Sequence, residues 1–232
     1  MSKWFIRPCK VDIGNMCRKM GINVPLALAL QSKGLNTPKK VKDYFNTENY
    51  NFGDITQLIG VKRSFEIIEK AINKRKKIFI YGDYDVDGVT STVILYKSLK
   101  AIGADVFYYI PNRVKDGYGL NVNAIERLIE KGMELLITCD NGIAAIEEIK
   151  YAKEKGIDVV IYDHHEPVIK DGKEVLPEAD SVTDAKIENC GYDFTVMCAG
   201  GLCYRVMKAF YEYLGEKYTL EEEMGKPNIT PC

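Results

Sequence analysis

Five acidic positions and two adjacent histidines carry the chemistry of this chain. Asp83, Asp85 and Asp87 fall at i, i+2 and i+4 within Gly82-Asp83-Tyr84-Asp85-Val86-Asp87-Gly88, and Asp140 opens Asp140-Asn141-Gly142. A further acid, Asp163, precedes His164-His165, which are the only histidines in the chain. On an extended backbone, three carboxylates at that spacing project to one side, with neighbours about 6.5 to 7 Å apart. At an effective dielectric of ~20, two charges at that distance repel by roughly 2.5 kcal/mol. Adding Asp140 and Asp163 makes the cluster untenable without protons or a divalent cation. Carboxylates with one or two imidazoles suit Mn²⁺ or Mg²⁺, and histidine favours Mn²⁺. A cluster of this size points to two ions, the arrangement that clamps a phosphoryl group for in-line attack by hydroxide.

Taken singly, these residues have plainer uses. Asp87 also suits the N-cap of a helix beginning near Val89, and a lone His164 is more often a structural histidine. Asp-x-Asp-x-Asp-Gly also opens an EF-hand loop, which needs a bidentate Glu at its twelfth position. Counted from Asp83, that position is Ile94, so the calcium loop is excluded. No P-loop, GxGxxG fingerprint, GxSxG elbow or HExxH helix occurs.

The elements that must position these residues follow from patterning. Ile78–Tyr81, Val106–Ile110, Leu135–Ile137 and Val159–Tyr162 are short apolar runs. Between them, Val89–Ala101, Ala124–Lys131 and Ala145–Lys155 read as helices. Strands alternating with helices predict right-handed crossovers and a parallel, doubly wound α/β sheet with helices on both faces. In such sheets ligands sit outside the carboxyl ends of the strands. Three of the four predicted strand ends carry the acids, and one also carries both histidines. Ahead of the sheet, residues 1–72 are expected to be a helical segment. Thr37-Pro38 resembles an N-cap with proline at N1, and Val61–Ile72 shows a 3.6-residue period. Residues 73–232 would form the α/β domain. The basic run Lys74-Arg75-Lys76-Lys77 reads as a solvated helix end.

Composition sets the outer limits. The 232 residues are 46% hydrophobic and 28% charged, which fits a folded chain and excludes disordered and collagen-like classes. A net charge of -1 means that any nucleic-acid binding must come from local patches. Seven scattered cysteines without a CxxC pair do not form a zinc site or a disulfide framework. No apolar run approaches the ~18 residues of a membrane span, so no membrane role and a reducing cytoplasm are expected.

The segments YGDYDVDGVTS, TCDNGI and YDHHEP, in this order, resemble the first three motifs of the DHH phosphoesterase superfamily. More narrowly, the run from Lys77 to Pro167 resembles the RecJ family of single-strand-specific 5′→3′ exonucleases. YIPNR at 109–113, GYGLN at 117–121 and the helical N-terminal segment belong to that version, not to the pyrophosphatase version. The resemblance implies Asp85, Asp87, Asp140 and His164 as metal ligands, with Asp140 between two ions and Asp83 supporting or ligating. It implies that His165 contacts the scissile phosphate and that Arg113 holds a substrate phosphate by charge-assisted bonds. The implied substrate is single-stranded DNA, and the implied cofactor is Mn²⁺ or Mg²⁺.

The chain also departs from the pattern. Tyr81 stands where many superfamily members have histidine. The fourth motif, a metal-binding Asp expected after the helix from Ala199 to Tyr213, is not found; Asp184 and Asp193 are acids outside that context. The expected downstream domains are missing, so a fragment or a shortened relative is expected. Two other functions remain open on the sequence: a phosphoesterase for short oligonucleotides or cyclic dinucleotides, and a non-catalytic scaffold. The scaffold fits poorly, because nothing would make it keep mutually repelling carboxylates.

Overall fold

A computed structural model describes residues 12–46, 52–112 and 119–218. The chain forms two compact units, Met1–Phe52 and Gly53–Cys232. In the first, α1 (Ile13–Met20), α2 (Val24–Ser32) and α3 (Pro38–Phe45) start at Asp12, Asn23 and Thr37. Each of these side chains accepts a hydrogen bond from the amide three residues on, which satisfies a donor the helix itself cannot. Met16, Ala27, Leu30 and Val41 make a small core.

The second unit begins with a 3-10 turn (Ile55–Gln57) and α4 (Val61–Asn73). There follow β1 (Ile78–Tyr81), α5 (Val86–Ala101), β2 (Val106–Tyr109), α6 (Val122–Glu130), β3 (Leu135–Cys139), α7 (Ile146–Glu154) and β4 (Asp158–Tyr162). A small hairpin, β5 (Val168–Lys170) and β6 (Lys173–Val175), precedes β7 (Ser181–Thr183) and α8 (Ala199–Leu214). The period predicted over Val61–Ile72 is α4. Val61, Phe65 and Ile68 bury its apolar stripe in the core of the sheet, which is why the helix belongs to this unit.

The sheet is parallel, in the order β2-β1-β3-β4-β7. Strand alternation splits its side chains between two cores. Ile78, Ile80, Ile137 and Val160 face α4, α5 and α8, where they meet Phe65, Leu95 and Phe210. Phe79, Tyr81, Leu136 and Val159 face α6 and α7, where they meet Ile125, Leu128 and Ile149. A sheet covered on both faces requires the near-continuous apolar strands seen in the sequence. Residues of β1 and β3 are buried throughout, each large one contributing about 1.5–3 kcal/mol.

Three features differ from expectation, the β5–β6 hairpin among them. Helix α5 starts at Val86, not Val89, because Asp85 caps it through the Gly88 amide. The fifth strand, β7, was not predicted; three residues of mixed polarity become a strand by pairing with Val160–Tyr162.

Candidate metal centre

Strand order reverses direction on either side of β1 and β3, and at such a switch point the connecting loops part to leave a crevice at the carboxyl ends. Asp83 lies two residues beyond β1, and Asp140 directly follows β3. The topology therefore brings together acids that are far apart in sequence.

The first acidic segment does not stay extended. The chain leaves β1 after Tyr81 and turns into α5, so its three carboxylates take three different places. Asp83 is 2% exposed under the turn. Gly88 makes that turn possible, since a Cβ there would come within 2.6 Å of the Asp83 backbone. Asp85 accepts the Gly88 amide at 3.0 Å and caps α5. Asp87 caps a different helix: its two oxygens accept the amides of Ala199 at 2.8 Å and Gly200 at 2.7 Å, at the start of α8. Those amides are donors that α8 cannot satisfy internally, and they favour a negative charge.

After β3, Asp140 takes a left-handed backbone (φ 61°), and Gly142 follows with φ 117°. A Cβ on Gly142 would lie 2.5 Å from Thr138 Oγ1, whose hydroxyl donates to the Asn141 carbonyl. This tight turn aims Asp140 back over the strand end. A non-glycine residue in that conformation costs about 1–3 kcal/mol and persists where its surroundings enforce it. The Asp140 Oδ1 atom lies 3.0 Å from His164 Nε2, and that nitrogen lies 3.5 Å from Asp87 Oδ2. Burial, with Asp87 and Asp85 nearby, pushes the Asp140 carboxyl up to about 7.

After β4, Asp163 holds the histidine pair. Its Oδ1 accepts the His164 amide at 2.8 Å, the His165 amide at 3.3 Å and His165 Nδ1 at 2.7 Å. Its Oδ2 accepts the Ile143 amide at 2.9 Å. Burial raises the Asp163 carboxyl, but the hydrogen bonds from the His165 ring and the Ile143 amide outweigh it, leaving the carboxyl below its usual range. The same bond from Asp163 raises His165. With Nδ1 donating to Asp163, His165 Nε2 is left for a ligand.

Two groups of donor atoms result. One atom each of Asp83, Asp85 and Asp140 lie within 4.8 Å of one another, and so do one each of Asp140, His164 and His165. Asp140 belongs to both. Oxygen and imidazole donors at this density suit Mn²⁺ or Mg²⁺, and a buried carboxyl raised for want of nearby positive charge is what an ion would correct.

The structure thus gathers Asp83, Asp85, Asp140, His164 and His165, with Asp87 bound to α8 and close to His164. Arg113 lies outside the described residues. His165, expected at the phosphate, also has an atom within reach of an ion. Tyr81 is directed elsewhere: its hydroxyl donates to the Gly119 carbonyl at 3.1 Å and its ring packs on Tyr109. Asp184 directly follows β7, its backbone neighbour Thr183 accepting the Asp163 amide. It is fully buried, its Oδ2 has no partner among the described residues, and burial pushes it up to about 7. Its place at a strand end was hidden by the unrecognised strand.

The arrangement defines a class. The chain belongs to the DHH family, whose N-terminal domain matches residues 77–227. Over 215 residues it is 38% identical to the single-stranded-DNA-specific exonuclease RecJ of Bacillus subtilis (strain 168), covering 92% of this chain and 26% of that protein. The crystal structure of exonuclease RecJ bound to manganese aligns with a TM-score of 0.64 at 30% identity, over 72% of this chain and 41% of that one. RecJ in complex with Mn²⁺ from Thermus thermophilus shares the fold, with a TM-score of 0.62 at 24% identity over 92% of this chain and 29% of that one. The chain therefore spans about a quarter of the length of the curated relative.

Proposed function

We propose that this chain carries the ion-binding part of a RecJ-like phosphodiesterase that hydrolyses single-stranded DNA from its 5′ end. The observation that carries the proposal is the sharing of Asp140 between two three-residue donor groups. Asp83 and Asp85 complete one site and His164 the other, while Asp87 sits 3.5 Å from His164 and adds charge to the second. Held there, two ions of Mn²⁺ or Mg²⁺ would supply charge to a phosphoryl group and lower the pKa of water. A relative, the exonuclease RecJ solved with manganese, supports the choice of metal.

The remaining steps belong to the chain. His165, raised by Asp163, donates from Nε2 to a phosphate oxygen, and Asp163 fixes the ring for that contact. Arg113 is assigned to a second substrate phosphate by its place in the YIPNR motif. Among the described residues, no helix is long and apolar enough to cross a membrane. Free thiols at Cys17, Cys139, Cys190, Cys198 and Cys203 favour a reducing, cytoplasmic setting.

The test is incubation of the full chain with Mn²⁺ and either 5′-phosphorylated single-stranded DNA or a dinucleotide. Release of mononucleotides from DNA, lost in Asp140→Ala, is the expected result. Cleavage of the dinucleotide alone would move the assignment to short oligonucleotides, and inertness towards both would overturn it for this chain.

A further inference from the structure

A net charge near zero conceals a division between the two units. Met1–Phe52 carries nine lysines and arginines against three acids, a net +6. Gly53–Cys232 carries 23 against 30, a net -7. The unit that holds the metal centre therefore repels a polyanion as a whole, while the small helical unit attracts one. The cations of the first unit are also unneutralised. Arg18, Lys19, Lys33, Lys39, Lys40 and Lys42 are exposed, and among the described residues none of them forms an ion pair.

Three of these lysines stand on α3, Pro38-Lys39-Lys40-Val41-Lys42-Asp43-Tyr44-Phe45. Val41 is its buried residue, so the lysines and the two rings occupy the rest of the helix surface. Lys40 and Tyr44 are four apart and Lys42 and Phe45 three apart, the spacings that make neighbours on a helix. Each ring thus has a lysine beside it. Tyr44 and Phe45 are 55% and 57% exposed and meet edge to face, with centroids 5.3 Å apart. Burying a ring such as Phe45 would contribute about 1.5–3 kcal/mol, which the fold of this unit leaves largely unused.

The combination selects among polyanions. An acidic peptide would use the lysines and leave the rings idle. A duplex offers phosphates but keeps its bases stacked on one another. A single strand offers both phosphates and open base faces, and stacking on an exposed ring is worth about 1–3 kcal/mol per base. Resting on the assignment above of single-stranded DNA as the substrate, we propose that α3 is a second, non-catalytic contact for such a strand. Lys39, Lys40 and Lys42 take backbone phosphates, and Tyr44 and Phe45 stack bases. Neither contact reads sequence, since every nucleotide has a phosphate and every base a π-face.

Fluorescence anisotropy of the full chain with a labelled oligothymidylate tests this, in EDTA so that nothing is cleaved and across a range of salt. Replacing the three lysines together (Lys39→Gln, Lys40→Gln, Lys42→Gln) should weaken binding. It should also flatten the slope of log affinity against log salt by about 2, at ~0.7 per phosphate on a single strand. Replacing the rings (Tyr44→Leu, Phe45→Leu) should weaken binding by about fivefold or more and leave the slope unchanged. Mn²⁺ affinity should be unaltered in both variants. Unchanged DNA affinity in both would overturn the assignment. A loss confined to the lysine variant, or equal competition by polyglutamate, would also overturn it and give the face to an acidic protein. A chain that cleaves DNA but binds it equally in both variants loses only the α3 contact. A chain that binds through α3 but releases no mononucleotides with Mn²⁺ loses only the hydrolase function.

Discussion

Asp140 and Asp163 directly follow neighbouring strands, are 2% and 1% exposed, and have carboxyls shifted in opposite directions. Asp163 accepts bonds from three backbone amides and one imidazole, which together outweigh its burial. Asp140 meets the His164 ring and faces Asp85 and Asp87, so burial prevails and its carboxyl rises to about 7. Burial therefore does not separate the two residues; the number of donors aimed at each does. One carboxylate is complete without an ion and orients a histidine. The other lacks positive charge at the point where two donor groups meet.

The largest effect that would test this contrast is expected from Asp140→Asn. Activity on single-stranded DNA should fall by about 10³-fold or more, with Mn²⁺ binding lost in calorimetry. The metal-free variant should nevertheless gain stability at pH 8. A carboxyl raised in the folded state favours folding below its unfolded value of 3.8, and that advantage is lost as pH climbs to about 7. At about 1.4 kcal/mol per unit, removing the charge should raise stability at pH 8 by on the order of 2–4 kcal/mol, measured by denaturant titration. A loss of stability would break the contrast.

Asp163→Asn should do the reverse. Its lowered carboxyl stabilises the fold above pH 3.8 and ceases to do so as pH falls through its folded value, so at pH 7 the variant should be less stable. Activity should drop about 10–100-fold through a misaligned His165, with Mn²⁺ affinity reduced far less than in Asp140→Asn. Equal loss of metal in the two variants would show that both aspartates ligate. The smallest effect is in the unaltered chain. Mn²⁺ affinity should climb up to about tenfold per pH unit below 7 and flatten above it, as Asp140 gives up its proton. Calorimetry across that interval that gave a constant affinity would remove Asp140 from the site.

Much of the fold was legible beforehand because a parallel sheet buried on both faces leaves a strong trace. Ile78–Tyr81 and Leu135–Cys139 read as apolar runs, and the residues just past each run are those that topology places at the edge. Less legible was anything decided by pairing or capping. Ser181–Thr183 carries no strand pattern of its own, so Asp184 gave no sign of lying beside Asp163. The spacing of Asp83, Asp85 and Asp87 suggested a shared face on a strand. Local capping chemistry prevailed: Asp85 starts α5 three residues early, and rotation through the first helical turn sends Asp87 towards α8. The amides that receive it come from a segment more than a hundred residues later, which no local pattern reveals.

The Asp87 contact gives the centre a gauge that needs no substrate. The amide protons of Ala199 and Gly200 are held by one carboxylate and by nothing within their own helix. If an ion draws charge from Asp87, these two protons are the first to register it, in chemical shift and in exchange with solvent. Two resonances on the far side of the crevice thereby report how full it is.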